Sequence, residues 1–143
     1  MPYRQLMVFR IGCIAAVLTA AVHLVGHLLG PQPPANDIER ELVTLATTYE
    51  FQLPGGASRS LMDFMDGFSL MFSVLLAALG GVGYLVEKRA AGDALLMAGV
   101  ARVLAGASAV ALVITLTHFF IVPALLMALV AVCFAIASVK APA

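Results

Sequence analysis

The chain has 143 residues, 62% of them apolar and 11% charged, with eight Lys plus Arg balancing eight Asp plus Glu. A mean hydropathy of +1.04 is more than a water-soluble fold of this size can bury, so an integral membrane protein is indicated and an ordinary soluble enzyme is excluded. The balanced charge leaves no basic patch for a nucleic acid, and Cys13 and Cys133 form no spaced motif for CxxC redox chemistry or a Cys-rich zinc site.

A span needs about 20 mostly apolar residues to cross about 30 Å of hydrocarbon. Four such runs follow one another, over about residues 7–29, 61–86, 94–117 and 122–139. The first stops at Gly30-Pro31, the second at Glu87-Lys88-Arg89 and the fourth at Lys140. The first is too long for a signal-peptide core and reads as an uncleaved helix. Pro123 suits the first turn of a new helix, which sets a tight turn at His118 to Ile121. The fold class is all-α: one transmembrane domain over 1–143, an antiparallel four-helix bundle.

The only extended polar stretch runs from Pro31 to Ser60. Ile38, Leu42, Leu45 and Tyr49 fall there at helical spacing, and Asn36 with Glu39 resembles a capping box. This predicts a short amphipathic helix in the first loop, lying on the outer membrane surface or capping the bundle, and ended by Leu53-Pro54-Gly55-Gly56. Its lack of basic residues favours capping of the bundle over attraction to lipid charge.

Lys/Arg bias orients the spans. With both termini cytoplasmic, Arg4, Arg10, Lys88, Arg89 and Lys140 lie inside, and Arg40 and Arg59 outside. Arg102 falls roughly two turns into the third span, as a snorkelling side chain or as a contact for lipid phosphate or a partner.

Without a hydrophobic force between helices in lipid, small residues must allow close packing. Candidate stripes are Gly12/Ala16/Ala20, Ser69/Ser73/Ala77/Gly81, Ala101/Ala105/Ala109, and Ala124/Ala128 with Ala131/Ala135. A surplus stripe would serve a homo-oligomer or a membrane-protein partner.

The ionisable residues of metal-ligand type collect at one depth, in the outer leaflet. His23 and His27 stand four apart on one helix face, Asp63 and Asp66 lie in the first turns of the second span, and His118 ends the third. Glu50 and Tyr49 could approach from the loop. A His pair with Asp66 and His118 would offer four ligands from three helices, suited to zinc, iron, copper or manganese. Haem b, with His23 or His27 opposite His118, is the lesser cofactor reading. A purely structural reading stands beside these: His27 and His118 meet negative helix ends, and Asp63 follows Ser60 at capping-box spacing. No HExxH glutamate accompanies the His pair, so no metalloprotease is indicated.

The stretch Leu61-Met-Asp-Phe-Met-Asp-Gly-Phe-Ser-Leu-Met-Phe-Ser73, with His23-Leu-Val-Gly-His27, resembles a group of small uncharacterised bacterial four-helix membrane proteins. The resemblance implies the bundle and a bacterial inner-membrane location, and no activity. The expectation is a non-catalytic membrane protein that binds a transition metal at the His/Asp cluster. The alternatives are an accessory subunit of a larger complex, with the cluster as polar glue, and a haem b electron carrier.

Overall fold

The computed structural model describes residues 3–139. In chain order it comprises α1 (Tyr3–Leu28), α2 (Asp37–Thr48), β1 (Glu50–Gln52), β2 (Ser58–Ser60), α3 (Leu61–Ala90), α4 (Ala94–His118) and α5 (Ile121–Ser138). α1, α3, α4 and α5 are each long and apolar enough to cross a membrane. A helix satisfies its own backbone groups, which lipid cannot do for it. Lys140, the expected stop of the fourth span, lies outside the described residues.

The expected helices are present with two differences at their ends. α1 begins at Tyr3, ahead of its apolar run. α3 continues through Glu87-Lys88-Arg89 to Ala90 instead of stopping before them. Lys88 and Arg89 suit a last turn, where cations meet the negative helix end. α4 and α5 are joined across Phe119 and Phe120 alone, and Pro123 occupies the first turn of α5, as expected.

The four long helices stand in the spatial order α3–α1–α5–α4, with α3 and α4 touching only slightly. α1 is therefore wedged between α3 and α5. Its buried residues all lie between Phe9 and Ala20, and those of α3 between Ser73 and Glu87. The α1–α3 packing thus concentrates at the end where the chain starts, here called the tight end. The opposite end, bearing α2 and the hairpin, is the loop end. Buried hydroxyls do not cross-link the helices. Thr19 donates to Ala15 O at 2.8 Å, Ser73 to Ser69 O at 3.1 Å and Ser108 to Leu104 O at 2.7 Å, each within its own helix. With none of these hydroxyls joining two helices, close packing carries most of the contact between them.

Small residues make that packing possible, though not always the expected ones. Gly12, Ala16 and Ala20 are buried on α1 as predicted. On α3 the seam is Ser73, Leu76, Gly80, Gly83 and Glu87, alternating three and four residues, so it drifts off the strict four-residue ladder that pointed to Gly81. A Cβ at Gly80 would stand 2.6 Å from Cys13 O, and one at Gly83 2.8 Å from Cys13 Sγ. On α4 the seam is Met97, Ala101, Leu104, Ser108 and Thr115, leaving Ala109 exposed. Cys13 and Cys133 are both buried and unbonded.

α2 forms where predicted, with the Asn36 side chain accepting from Glu39 N at 2.9 Å. Glu39 reaches back to Ala35 N at 2.7 Å. The apolar stripe of α2 does not cap the bundle, however. Ile38 is 80% exposed and Leu42 64%, and α2 touches α3 only slightly. The β1–β2 hairpin, in antiparallel register Phe51↔Arg59, was not expected. Three-residue strands are too short for alternation to show. Its turn closes through Leu53 N donating to Ala57 O at 2.8 Å, and Gly55 and Gly56 take φ of 87° and 80°, where a side chain would be strained.

Replacement of Gly80 by Ala is expected to destabilise the protein by about 1–3 kcal/mol through overpacking. Gly81→Ala, whose new methyl meets nothing within 4 Å, is expected to be neutral or slightly stabilising. Unfolding midpoints of the two variants in detergent check this.

Candidate functional site

Five residues were expected to share one depth at the loop end, and the structure distributes them. His27, near the end of α1, and Asp66, in the second turn of α3, come together, with His27 Nδ1 3.9 Å from Asp66 Oδ1. That is beyond hydrogen-bond range. The Asp66 side chain is 53% exposed, so the contact contributes little to stability.

His23 lies one turn deeper on α1. Its ring meets Phe72 of α3 edge to face, with centroids 5.0 Å apart. Its Nε2 is buried and has no hydrogen-bond partner. The two histidines thus face α3, as their four-residue spacing requires, yet address different neighbours.

Asp63 is engaged in capping. Ser60 N donates to its Oδ2 at 2.8 Å, and the Ser60 hydroxyl accepts from Asp63 N at 3.1 Å. This reciprocal box starts α3 directly from β2. His118 ends α4 with its Nδ1 2.6 Å from the Thr117 hydroxyl and 3.3 Å from Ile114 O; both partners are on its own helix. Glu50 accepts from the Ser58 hydroxyl across the hairpin, and Tyr49 packs edge-on against Phe51. Among the described residues, no group of three or more His, Cys, Asp or Glu side chains stands close enough to hold a metal ion. The structure joins His27 with Asp66 and sets His23 beside them.

A second ionic contact was not foreseen. Arg10 on α1 holds the Glu87 carboxylate with both arms, Nη2 to Oε1 at 2.5 Å and Nε to Oε2 at 3.2 Å. Glu87 is 2% exposed while the Arg10 side chain is 43% exposed. The guanidinium therefore carries the carboxylate toward water, in the planar fork geometry that suits Arg. The sequence signal was the lone acid ahead of Lys88-Arg89, which reads as part of a polar stop. Nearby, the Gln5 amide donates to Val139 O at 2.5 Å, tying α1 to the end of α5.

Arg102 is exposed on α4 and forms no hydrogen bond or ion pair among the described residues. It lies beside Gly99 and Gly106 on one helix face.

Scans of known family models, curated proteins and solved structures each returned no match to this chain.

Ser60→Ala removes one half of the cap that starts α3 and is expected to cost about 1 kcal/mol. Asp66→Asn, at an exposed position, is expected to leave the unfolding midpoint nearly unchanged. Thermal denaturation of both variants followed by circular dichroism tests the assignment of Asp63 and Ser60 to capping.

Proposed function

We propose that this chain is a non-catalytic, multi-pass protein of the bacterial inner membrane. Both termini face the cytoplasm, and it serves as an accessory subunit of a larger membrane complex. Arg102 carries this reading. On four crossing helices it lies about 13 Å along α4 from Asp93, inside the apolar run, exposed and unpaired among the described residues. A charge inside a span is costly, less so near an end where Arg can snorkel, and it is almost always turned to protein or water. Gly99 and Gly106 flank it, so a partner helix could approach closely and set an acceptor against the guanidinium. The polar groups at the loop end then serve as contacts between α1 and α3.

The expected result is that the tagged full-length protein, extracted in mild detergent, migrates on native gels above the mass of its own detergent complex. Arg102→Leu is expected to release it to the free form without loss of helicity. Identical migration of both proteins at the free position would overturn the subunit reading.

Metal binding is a second reading, supported by two observations. The His27 Nδ1 to Asp66 Oδ1 separation of 3.9 Å is within what two ligands at about 2.1 Å from one ion allow, and His23 Nε2 has no protein partner. His27 and Asp66 would hold the ion, and His23 would join them only by turning from Phe72. Haem b has no comparable support, since His118 binds within its own last turn. Elemental mass spectrometry of the purified protein is expected, on the metal reading, to give near one equivalent of one transition metal. The His27→Ala variant would lose it. A folded preparation without metal leaves the pair as an interhelical contact.

A further inference from the structure

The hairpin overhangs one flank of α3. Between them lies a shallow, open groove lined by Leu53 and Arg59 from the hairpin and by Asp63, Phe64, Gly67, Phe68 and Met71 from α3. The groove runs with the helix. From Asp63 to Met71 is about 12 Å at 1.5 Å per residue, from the polar start of α3 into its apolar length. Phe68 is 63% exposed and Met71 51%. Gly67 opens the middle, since a Cβ there would meet nothing within 4 Å.

The charges of Arg59 and Asp63 attract each other across the groove, but no direct ion pair joins them. Arg59 donates one bond, from Nη1 to Ser58 O at 2.6 Å, leaving most of its five N–H donors free. Asp63 spends Oδ2 on the cap, and its Oδ1 has no partner among the described residues. A guanidinium free for a phosphate and a carboxylate oxygen free for an ammonium therefore stand together above an apolar trough.

We infer that this groove is a binding site for one zwitterionic phospholipid. The lipid's phosphodiester meets Arg59, its ammonium meets Asp63, and the start of one acyl chain lies along Phe64, Phe68 and Met71. Charge complementarity selects this occupant. A phosphate alone satisfies Arg59 and is repelled by Asp63, whereas a head bearing both charges satisfies both. The groove is shallow and open, so it takes the head and the start of one chain, with the remainder in the bilayer. This inference stands apart from the subunit reading, since Arg102 and the α4 face play no part in it.

The test uses the full chain, delipidated in detergent and re-exposed separately to phosphatidylethanolamine, phosphatidylglycerol and diacylglycerol. Retained lipid is counted by native mass spectrometry. The expected result is one retained phosphatidylethanolamine, with phosphatidylglycerol weaker and diacylglycerol not retained. Arg59→Gln is expected to lower retention roughly tenfold, the effect of one hydrogen-bonded charge. Asp63→Asn keeps an oxygen for the Ser60 cap and is expected to make the two phospholipids equal. Gly67→Leu, a favourable change for helix formation, fills the trough and is expected to abolish retention with helicity intact. Equal retention of all three lipids by the unaltered protein would overturn the proposal. So would retention of phosphatidylglycerol at or above the ethanolamine lipid, or unchanged retention in Arg59→Gln.

Discussion

Cys13 and Gly80 meet almost backbone to backbone, and the layout of the remaining helices depends on that approach. A methyl group at Gly80 would fall 2.6 Å from the Cys13 carbonyl oxygen. Because α1 lies so close to α3 on one side, it can present Gly12 to Cys133 and Phe134 of α5 on the other. A wider α1–α3 spacing would separate those two contacts. The wedge places Phe9 and Phe134 in edge-to-face contact at 5.5 Å, and it gathers the buried α1–α3 surface at one end. It also sets Arg10 opposite Glu87. A carboxylate with 2% exposure persists in such a place because a bidentate partner accompanies it, and removing that partner alone would strand the charge.

The opposite end follows from the same asymmetry. Beyond Ala20 on α1 and before Ser73 on α3 no side chain is fully buried. Polar groups there find partial partners. His27 meets Asp66 at the edge of hydrogen-bonding range, and His23 rests on a ring. The hairpin and α2 cover one flank of α3 without closing over it. The tight end therefore holds α1 against α3, and the loop end leaves the flank of α3 open.

Much of this architecture was legible in the sequence. The four helices were visible because hydropathy over twenty residues is a strong signal, and the α2 cap because Asn36 and Glu39 are local. The face of each helix was harder to read. Gly80 and Gly81 are equally small, and the choice between them rests on a fraction of a helical turn accumulated from Ser73. The candidate site failed to assemble for a related reason. His23, His27, Asp63, Asp66 and His118 do lie toward the same ends of their helices, as the apolar runs implied. Depth follows from residue number, but direction follows from how helices rotate against one another. Asp63 was already occupied by its cap, and α4, which carries His118, is separated from α1 by α5. The Arg10–Glu87 contact was hidden because its partners are 77 residues apart and Glu87 sits in a charged stretch that reads as a helix end.

The Gln5–Val139 contact makes the bundle a nearly closed loop of chain. With an even number of long helices, α1 starts where α5 ends, and the connection at Gly55 and Gly56 lies at the opposite end. The order in which the helices follow one another is thus separable from their arrangement. A chain re-cut at the hairpin turn and rejoined across the Gln5–Val139 gap would keep every interhelical contact. It would, however, expose both new ends at the end of the bundle opposite Gln5 and Val139.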